Sequence, residues 1–261
     1  MKLSIVQKKI EGMLAGFNGR AAYKIEASGE VIEHNSHDIF QSASTIKIPI
    51  LLEGFRQSEA GKVELDRVID VPMSAIAGGS GVLQSLSRHV KMTVKDLIVL
   101  MIIVSDNTAT NMVIDLLGQE NINKGIKILG LKQTVLQRRM MEFGAINEGR
   151  DNFTSAADLV ACLKAIYEGE IFSNESKADI LTILRQQKFF DKLPAYMDVE
   201  EVSFAGKSGG LDGVSHDCGI FKYKGQIAYA AVLTDRLPNN EEGRRLIADI
   251  GKILYEHLTC G

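Results

Sequence analysis

No excess charge of either sign marks this chain: 30 Lys and Arg against 33 Asp and Glu give a net charge of -3 and a pI near 6.0. Without a basic stripe there is no electrostatic footprint for nucleic acid or an anionic membrane surface, and a small-molecule partner fits better. Cysteine is scarce. Cys162, Cys218 and Cys260 are odd in number and widely spaced, so they form neither a zinc motif nor a full disulfide framework and read as buried or incidental thiols. His34 and His37, beside Glu33 and Asp38, read as a polar loop rather than a metal site. Long apolar runs are missing too. The densest, Leu97 to Val104, has eight residues, far too few to cross a bilayer. The start, Met1-Lys2-Leu3-Ser4, lacks the apolar core and small-residue cleavage site of a secretory signal. The expectation is a cytoplasmic protein if the chain is complete, and a secreted or periplasmic one if a signal has been removed. Internal repeats and low-complexity linkers are also absent from the sequence.

What the chain does have is an ordinary globular composition, 45% hydrophobic and 24% charged over 261 residues, and three short motifs in a telling order. Ser44-Thr45-Ile46-Lys47 is followed 61 residues later by Ser105-Asp106-Asn107, and 102 residues after that by Lys207-Ser208-Gly209. One S-x-x-K arises about once by chance in a chain this long, but the ordered set does not. A serine hydroxyl needs a partner to accept its proton as it attacks. Three residues on along a helix, Lys47 shares a face with Ser44 and its amine can reach the hydroxyl. Burial beside a second cation, Lys207, would keep that amine near neutral. Ser44 at a helix start would also offer its own backbone N–H to a developing oxyanion. Taken singly, the same string describes a serine-capped surface helix with a solvated lysine. Ser105-Asp106-Asn107 reads as a sharp polar turn after a buried segment, aiming Ser105 and Asn107 into a cleft, or as an ordinary cap for a helix from about Thr108.

Val202 to Gly210 looks like a strand that loses its side chains at the end, so that a substrate backbone can lie along it. Lys207 and Ser208 would then meet an anionic group, and the Gly210 N–H would complete an oxyanion hole. Two rivals for this stretch fail on the sequence. A P-loop needs glycine where Glu201 stands. A G-x-S-x-G elbow with Ser208 as nucleophile leaves 53 residues for an acid and a histidine. Asp235 and His257 are in the right order, yet that fold has little room left.

These motifs, with Asn111 and Arg150-Asp151-Asn152-Phe153-Thr154, resemble those of the class A β-lactamases and the penicillin-binding serine hydrolases related to them. The resemblance spans nearly the whole chain. It implies Ser44 as acylated nucleophile, Lys47 as its proton-shuttling partner and Ser105 as relay to the leaving nitrogen. Asn107 would hydrogen-bond Lys47 and the substrate amide. The strand Lys207-Ser208-Gly209-Gly210 would bind substrate, Lys207 and Ser208 through its carboxylate, with the Ser44 and Gly210 N–H groups on the oxyanion. The departures fall on deacylation, which in the family depends on a loop glutamate that activates water. Here Glu142 precedes Asn147 by five positions instead of four, and the loop to Arg150-Asp151 is about four residues short. Glu142 is the candidate base, Glu148 a weaker one, and Asp151 is expected to pair with Arg138 or Arg139 and close the loop. Pro49 requires the Ser44 helix to begin or bend near it. Where family members use an arginine to help hold the carboxylate, this chain offers His216, Lys222 and Lys224.

Periodicity places a helix over Ile5 to Phe17, a hairpin from Ala21 to Ile32 turning at Ser28-Gly29, and helical patterns from about 41 to 195 that include Ser155 to Tyr167 and Lys177 to Gln187. Strands return at Val202 to Lys207, Ile220 to Tyr223 and Ile227 to Thr234, and a helix over about Asn240 to His257 closes the chain. The expected fold is α+β: a five-stranded antiparallel sheet flanked by the N- and C-terminal helices (1–40 with 200–261) and an all-helical domain (41–199), with the site at the seam. The expected activity is a serine hydrolase opening a β-lactam through an acyl-enzyme on Ser44, without metal or organic cofactor, as a monomer. The rivals are a penicillin-binding or sensor protein that stays acylated, and an esterase or peptidase using the same site.

Overall fold

The computed structural model describes residues 2–87 and 89–259; Cys260 lies outside them. The chain opens with helix α1 (Leu3–Leu14) and a hairpin, β1 (Arg20–Ala27) and β2 (Glu30–His34), then a short strand β3 (Phe40–Gln41) and a 3-10 turn over Ala43–Ile46 that runs straight into α2 (Lys47–Glu59). A ribbon, β4 (Val68–Asp70) and β5 (Lys91–Thr93), precedes helices α3 (Val94–Ile103), α4 (Asn107–Leu117), α5 (Gln119–Ile128) and α6 (Phe143–Asn147). Strand β6 (Phe153–Thr154), α7 (Ala156–Tyr167) and α8 (Asn174–Arg185) follow. The meander β7 (Ser203–Leu211), β8 (Val214–Tyr223), β9 (Gln226–Asp235) and α9 (Asn240–Thr259) ends the chain.

The main sheet has the order β2-β1-β9-β8-β7, antiparallel throughout. Both of its faces are covered, which explains why β9 reads as an almost unbroken apolar run. Tyr229, Ala231 and Leu233 face the core shared with the helical half, while Ala228, Ala230 and Val232 face the terminal helices. On that second side Val6 and Ile10 of α1 meet Ile247, Ile250 and Leu254 of α9, a helix pair packed through apolar residues at helical spacing. The five-stranded sheet and flanking helices agree with the sequence reading.

The middle is not wholly helical, however. β3 pairs with β6 and β4 with β5, strands of two or three residues that are too short for alternation to be visible. Leu193, from the stretch assigned to the helical half, is buried in the core under the terminal helices. His34 lies on β2 with its ring stacked on Tyr23, centroids 6.1 Å apart, and not in a loop. β7 continues to Leu211 and so carries the whole Lys207-to-Gly210 string on a strand.

Two elements position the site. α3 begins in a reciprocal capping box between Thr93 and Asp96 and drives its apolar residues into the core, so that the chain emerges at Ser105 with a left-handed φ of 54°. Pro49 is the third residue of α2, within the first turn, where a missing N–H breaks no helical bond. The preceding 3-10 turn delivers Ser44 against β7.

Glycine fixes how closely the far side packs. A Cβ at Gly251 of α9 would overlap the carbonyl of Leu193, a backbone atom with nowhere to move. Gly251→Ala is expected to lower unfolding stability by about 1–3 kcal/mol through overpacking, measured by urea denaturation; an unchanged midpoint would mean that α9 shifts freely.

Candidate active site

Ser44 sits where two cavities meet. One, of about 130 Å³, is lined by Ala43, Gly79, Met140, Met141, Phe143 and Leu211 among others. The second, of about 240 Å³, is lined by Ser105, Lys192, Lys207, Ser208 and Gly209 among others. Ser44, Ser80 and Gly210 belong to both. The larger cavity near the termini, lined by Lys2, Ala27 and His257, contains none of the motif residues.

The Lys47 side chain is fully buried. Its amine lies 2.8 Å from the carbonyl oxygen of Ser105, 3.0 Å from the Ser105 hydroxyl and 3.0 Å from Oδ1 of Asn107. The bond to Asn107 is the one the resemblance implies, while the reach expected toward Ser44 is taken by Ser105. Burial pushes the Lys47 amine well below its usual value, and the charge of Lys207 adds to the effect. Lys207 is also fully buried; its amine donates to the Ser208 carbonyl at 2.7 Å, and burial brings its pKa down to about 7.

Asp106 explains why the Ser105 turn holds its shape. Its Oδ1 caps α4 by accepting from Ala109 N–H, while Oδ2 accepts from the N–H groups of Val82 and Leu83. Asn107 binds the same 77–83 loop, its N–H donating to Ser80 and its Nδ2 to Gly78. Both sequence readings of this segment therefore hold: it is a helix cap, and it turns Ser105 and Asn107 into a cleft. Two of the β7 glycines have reasons other than substrate. Gly206, paired with Gly219, lies under the Phe204 ring, and a Cβ on Gly209 would come within 3.0 Å of Ser44 N. Gly210 has open space, its nearest neighbour lying 3.6 Å from a built Cβ.

The Arg138–Asp151 ion pair closes the loop at 2.6 Å, both side chains buried, while Arg139 reaches Asp115. Asn111 clamps the Met140 backbone, accepting from its N–H and donating to its carbonyl. The structure does not bring Glu142 to Ser44. Its exposed carboxylate accepts the Arg139 N–H at 3.0 Å and borders a different cavity with Ser74, Gly78 and Asn111. The loop, pinned at Met140 and tied off at Asp151, turns Met140, Met141 and Phe143 toward Ser44. Glu148 is exposed and paired with Arg150. His216 is fully buried, with Nε2 on the Gln41 carbonyl and its ring edge-on to Phe40, so it faces away from any substrate carboxylate. Asp235, the acid of the rejected elbow, is held by Arg20.

A family model, the β-lactamase enzyme family, matches residues 5–258. The chain belongs to that family. A β-lactamase from Sphaerobacter thermophilus is 32% identical, with a TM-score of 0.92 over 100% of this chain and 99% of that one. PBP-A is 30% identical, with a TM-score of 0.89 over 98% and 96%. A class A β-lactamase from Bacteroides cellulosilyticus shares the fold at 21% identity, TM-score 0.88, over 99% and 98%. A comparison with curated proteins finds no match. In this member of the β-lactamase family the sequence reading missed Ser80, the Met140-Met141 wall and Lys192. The Gly78-Gly79-Ser80-Gly81 run was a visible turn signal; nothing local marks Lys192.

A lysine held below its unfolded pKa of 10.5 is neutral in the folded chain while still protonated in the unfolded one. The unfolded state then binds more protons, so between about 7 and 10.5 Lys207 makes stability rise with pH. Urea stability is expected to increase from pH 7.5 to 8.5, below the range of the buried thiols, whose pKa values burial raises. The increase should shrink in Lys207→Met; an unchanged slope would exclude Lys207 as its source.

Proposed function

We propose that the chain is a serine hydrolase that opens β-lactams by forming an acyl-enzyme on Ser44. The observation that carries this reading is the placement of Ser44 at the junction of two cavities, three residues before a Lys47 whose amine is bonded to Ser105 and whose pKa burial and Lys207 hold well below its usual value. In this reading the Ser44 oxygen attacks the lactam carbonyl and its proton passes to the Lys47–Ser105 pair. Ser105 returns a proton to the leaving nitrogen as the carbonyl–nitrogen bond breaks. Backbone N–H groups of Ser44 and Gly210 receive the oxyanion. Asn107 keeps one Nδ2 hydrogen for the substrate amide after donating the other to Gly78. Lys207 and Ser208 take the carboxylate.

One observation favours a second reading, a penicillin-binding or sensor protein that releases its acyl group slowly. From the loop, Met140, Met141 and Phe143 line the Ser44 cavity together with Arg138 and Asn152, while Glu142 is engaged elsewhere. The lack of a placed general base costs roughly 10²–10⁴ in rate. The acyl-enzyme complex with penicillin G described for a mutant of PBP-A makes that drug a sensible probe.

Mixed with a chromogenic cephalosporin, the protein should give a stoichiometric burst, slow turnover and an intact-mass adduct. Ser44→Ala should abolish the adduct, and a persisting adduct would dismiss Ser44 as nucleophile. Glu142→Gln should leave the adduct lifetime within about twofold of wild type. A lifetime extended by roughly tenfold or more would return Glu142 to the deacylation step.

A further inference from the structure

The two N–H groups assigned to the oxyanion belong to different elements: Ser44 lies in the 3-10 turn after β3, and Gly210 on β7. Ala43, next to Ser44, has a left-handed φ of 45°, a conformation that persists only where the surroundings over-determine it. On the loop side, Ser42 N–H donates to the Asn152 carbonyl and the Gln41 side chain donates to Asp151, both at 2.8 Å. On the sheet side stands His216. Its Nε2 lies 2.8 Å from the Gln41 carbonyl, an oxygen that can only accept, so Nε2 carries the hydrogen. Nδ1 then accepts from Thr234 N–H at 3.2 Å, as a neutral ring allows; burial lowers the His216 pKa to about 4. The Ser215 carbonyl beside Nδ1 takes its hydrogen from the Thr234 hydroxyl. Phe40 meets the ring edge-on, centroids 5.9 Å apart, and is itself covered by Arg20. The ring is thus held on its edge and at both nitrogens.

The backbone of the same residue reaches the other half of the hole. His216 pairs with Gly209 across β7 and β8, and the Lys192 amine bridges their carbonyls, at 2.7 Å from Gly209 and 3.1 Å from His216. Gly209 in turn packs on the Ser44 turn, where a Cβ would come within 3.0 Å of Ser44 N and 3.2 Å of Thr45 N. Gly210 is the next residue. One histidine therefore grips the strand through its backbone and the Ser44 turn through its ring. We infer that His216 is a positioning residue of the oxyanion hole, a strut that fixes the separation of the Ser44 and Gly210 N–H groups by donating to Gln41. This deepens the acyl-enzyme reading above and rests on it.

The test compares acylation rates, read by intact mass, for a phenylacetyl ester and its thionoester, in which sulfur replaces the carbonyl oxygen. Sulfur is a weak acceptor on a longer bond, so a correctly spaced hole discriminates against it. Wild type should prefer the oxygen ester. His216→Asn keeps an amide on the Nδ1 side but is too short for Gln41. It should lose roughly ten- to a hundredfold on the oxygen ester, as expected when donors move by about an ångström, and much less on the thionoester. His216→Gln, whose amide reaches the Nε2 position, should recover most of the preference. Equal losses on both esters, no loss, or no preference in wild type would overturn the inference. If His216→Asn does not fold, as read by urea titration, His216→Leu takes its place in the same comparison. If neither ester acylates wild type, the acyl-enzyme reading fails, and crystal structures of wild type and variant decide His216. A Ser44-to-Gly210 N···N separation changed by more than about 0.5 Å upholds the strut; an unchanged one overturns it.

Discussion

Two lysine amines, Lys47 and Lys207, are held out of water beside one serine, and the rest of the structure follows from making that tolerable. A buried ammonium costs several kcal/mol unless it is paired or neutralised. Among the described residues neither amine has a carboxylate for a hydrogen-bond partner; their acceptors are carbonyl, hydroxyl and amide oxygens. Such neutral acceptors satisfy the N–H groups without restoring the full charge; burial lowers both pKa values, with Lys207 adding to the shift of Lys47 and Lys192 to that of Lys207. The result is a Lys47 amine held well below the usual lysine range, as the proposed proton transfer from the hydroxyl requires. A carboxylate in direct contact would have raised the lysine pKa and kept the amine protonated, with no lone pair to accept a proton.

The same constraint explains the scaffold around Ser105. A serine at φ 54° costs of order 1–3 kcal/mol and persists only when its surroundings over-determine it. Asp106 does so, holding α4 with one oxygen and the 82–83 backbone with the other. Gly81, at φ 114°, lies against it where a side chain would collide. Loop, turn and helix thus form one rigid unit, and the Lys47 acceptors are carried on it.

How much of this was legible in the sequence depends on the range of the interaction. The five-stranded sheet could be read because its strands are long, eight residues in β1 and ten in the apolar run of β9, and are bounded by turn residues such as Ser28-Gly29 and Lys224-Gly225. Ser44, Lys47, Ser105 and Lys207 could be read because their motifs fix residue type and order together. Glu142 could not be placed, since its direction depends on where Asn111 grips the loop, 29 residues away from Met140 in sequence. Lys192 had no motif at all; its partners lie on two strands that must first pair. His216 had the right place in sequence, but burial against Phe40 turned it inward.

The strand order carries a consequence for biosynthesis. β1 leaves the ribosome long before its inner neighbour β9, with Ala27 paired to Ala228 across about 200 residues. At roughly 5–20 residues per second the nascent hairpin waits on the order of 10–40 s with one edge unpaired. Arg20, Lys24 and Glu26 put charge along that edge strand, a device that discourages pairing with the wrong chain. They protect an intermediate as much as they serve the finished molecule.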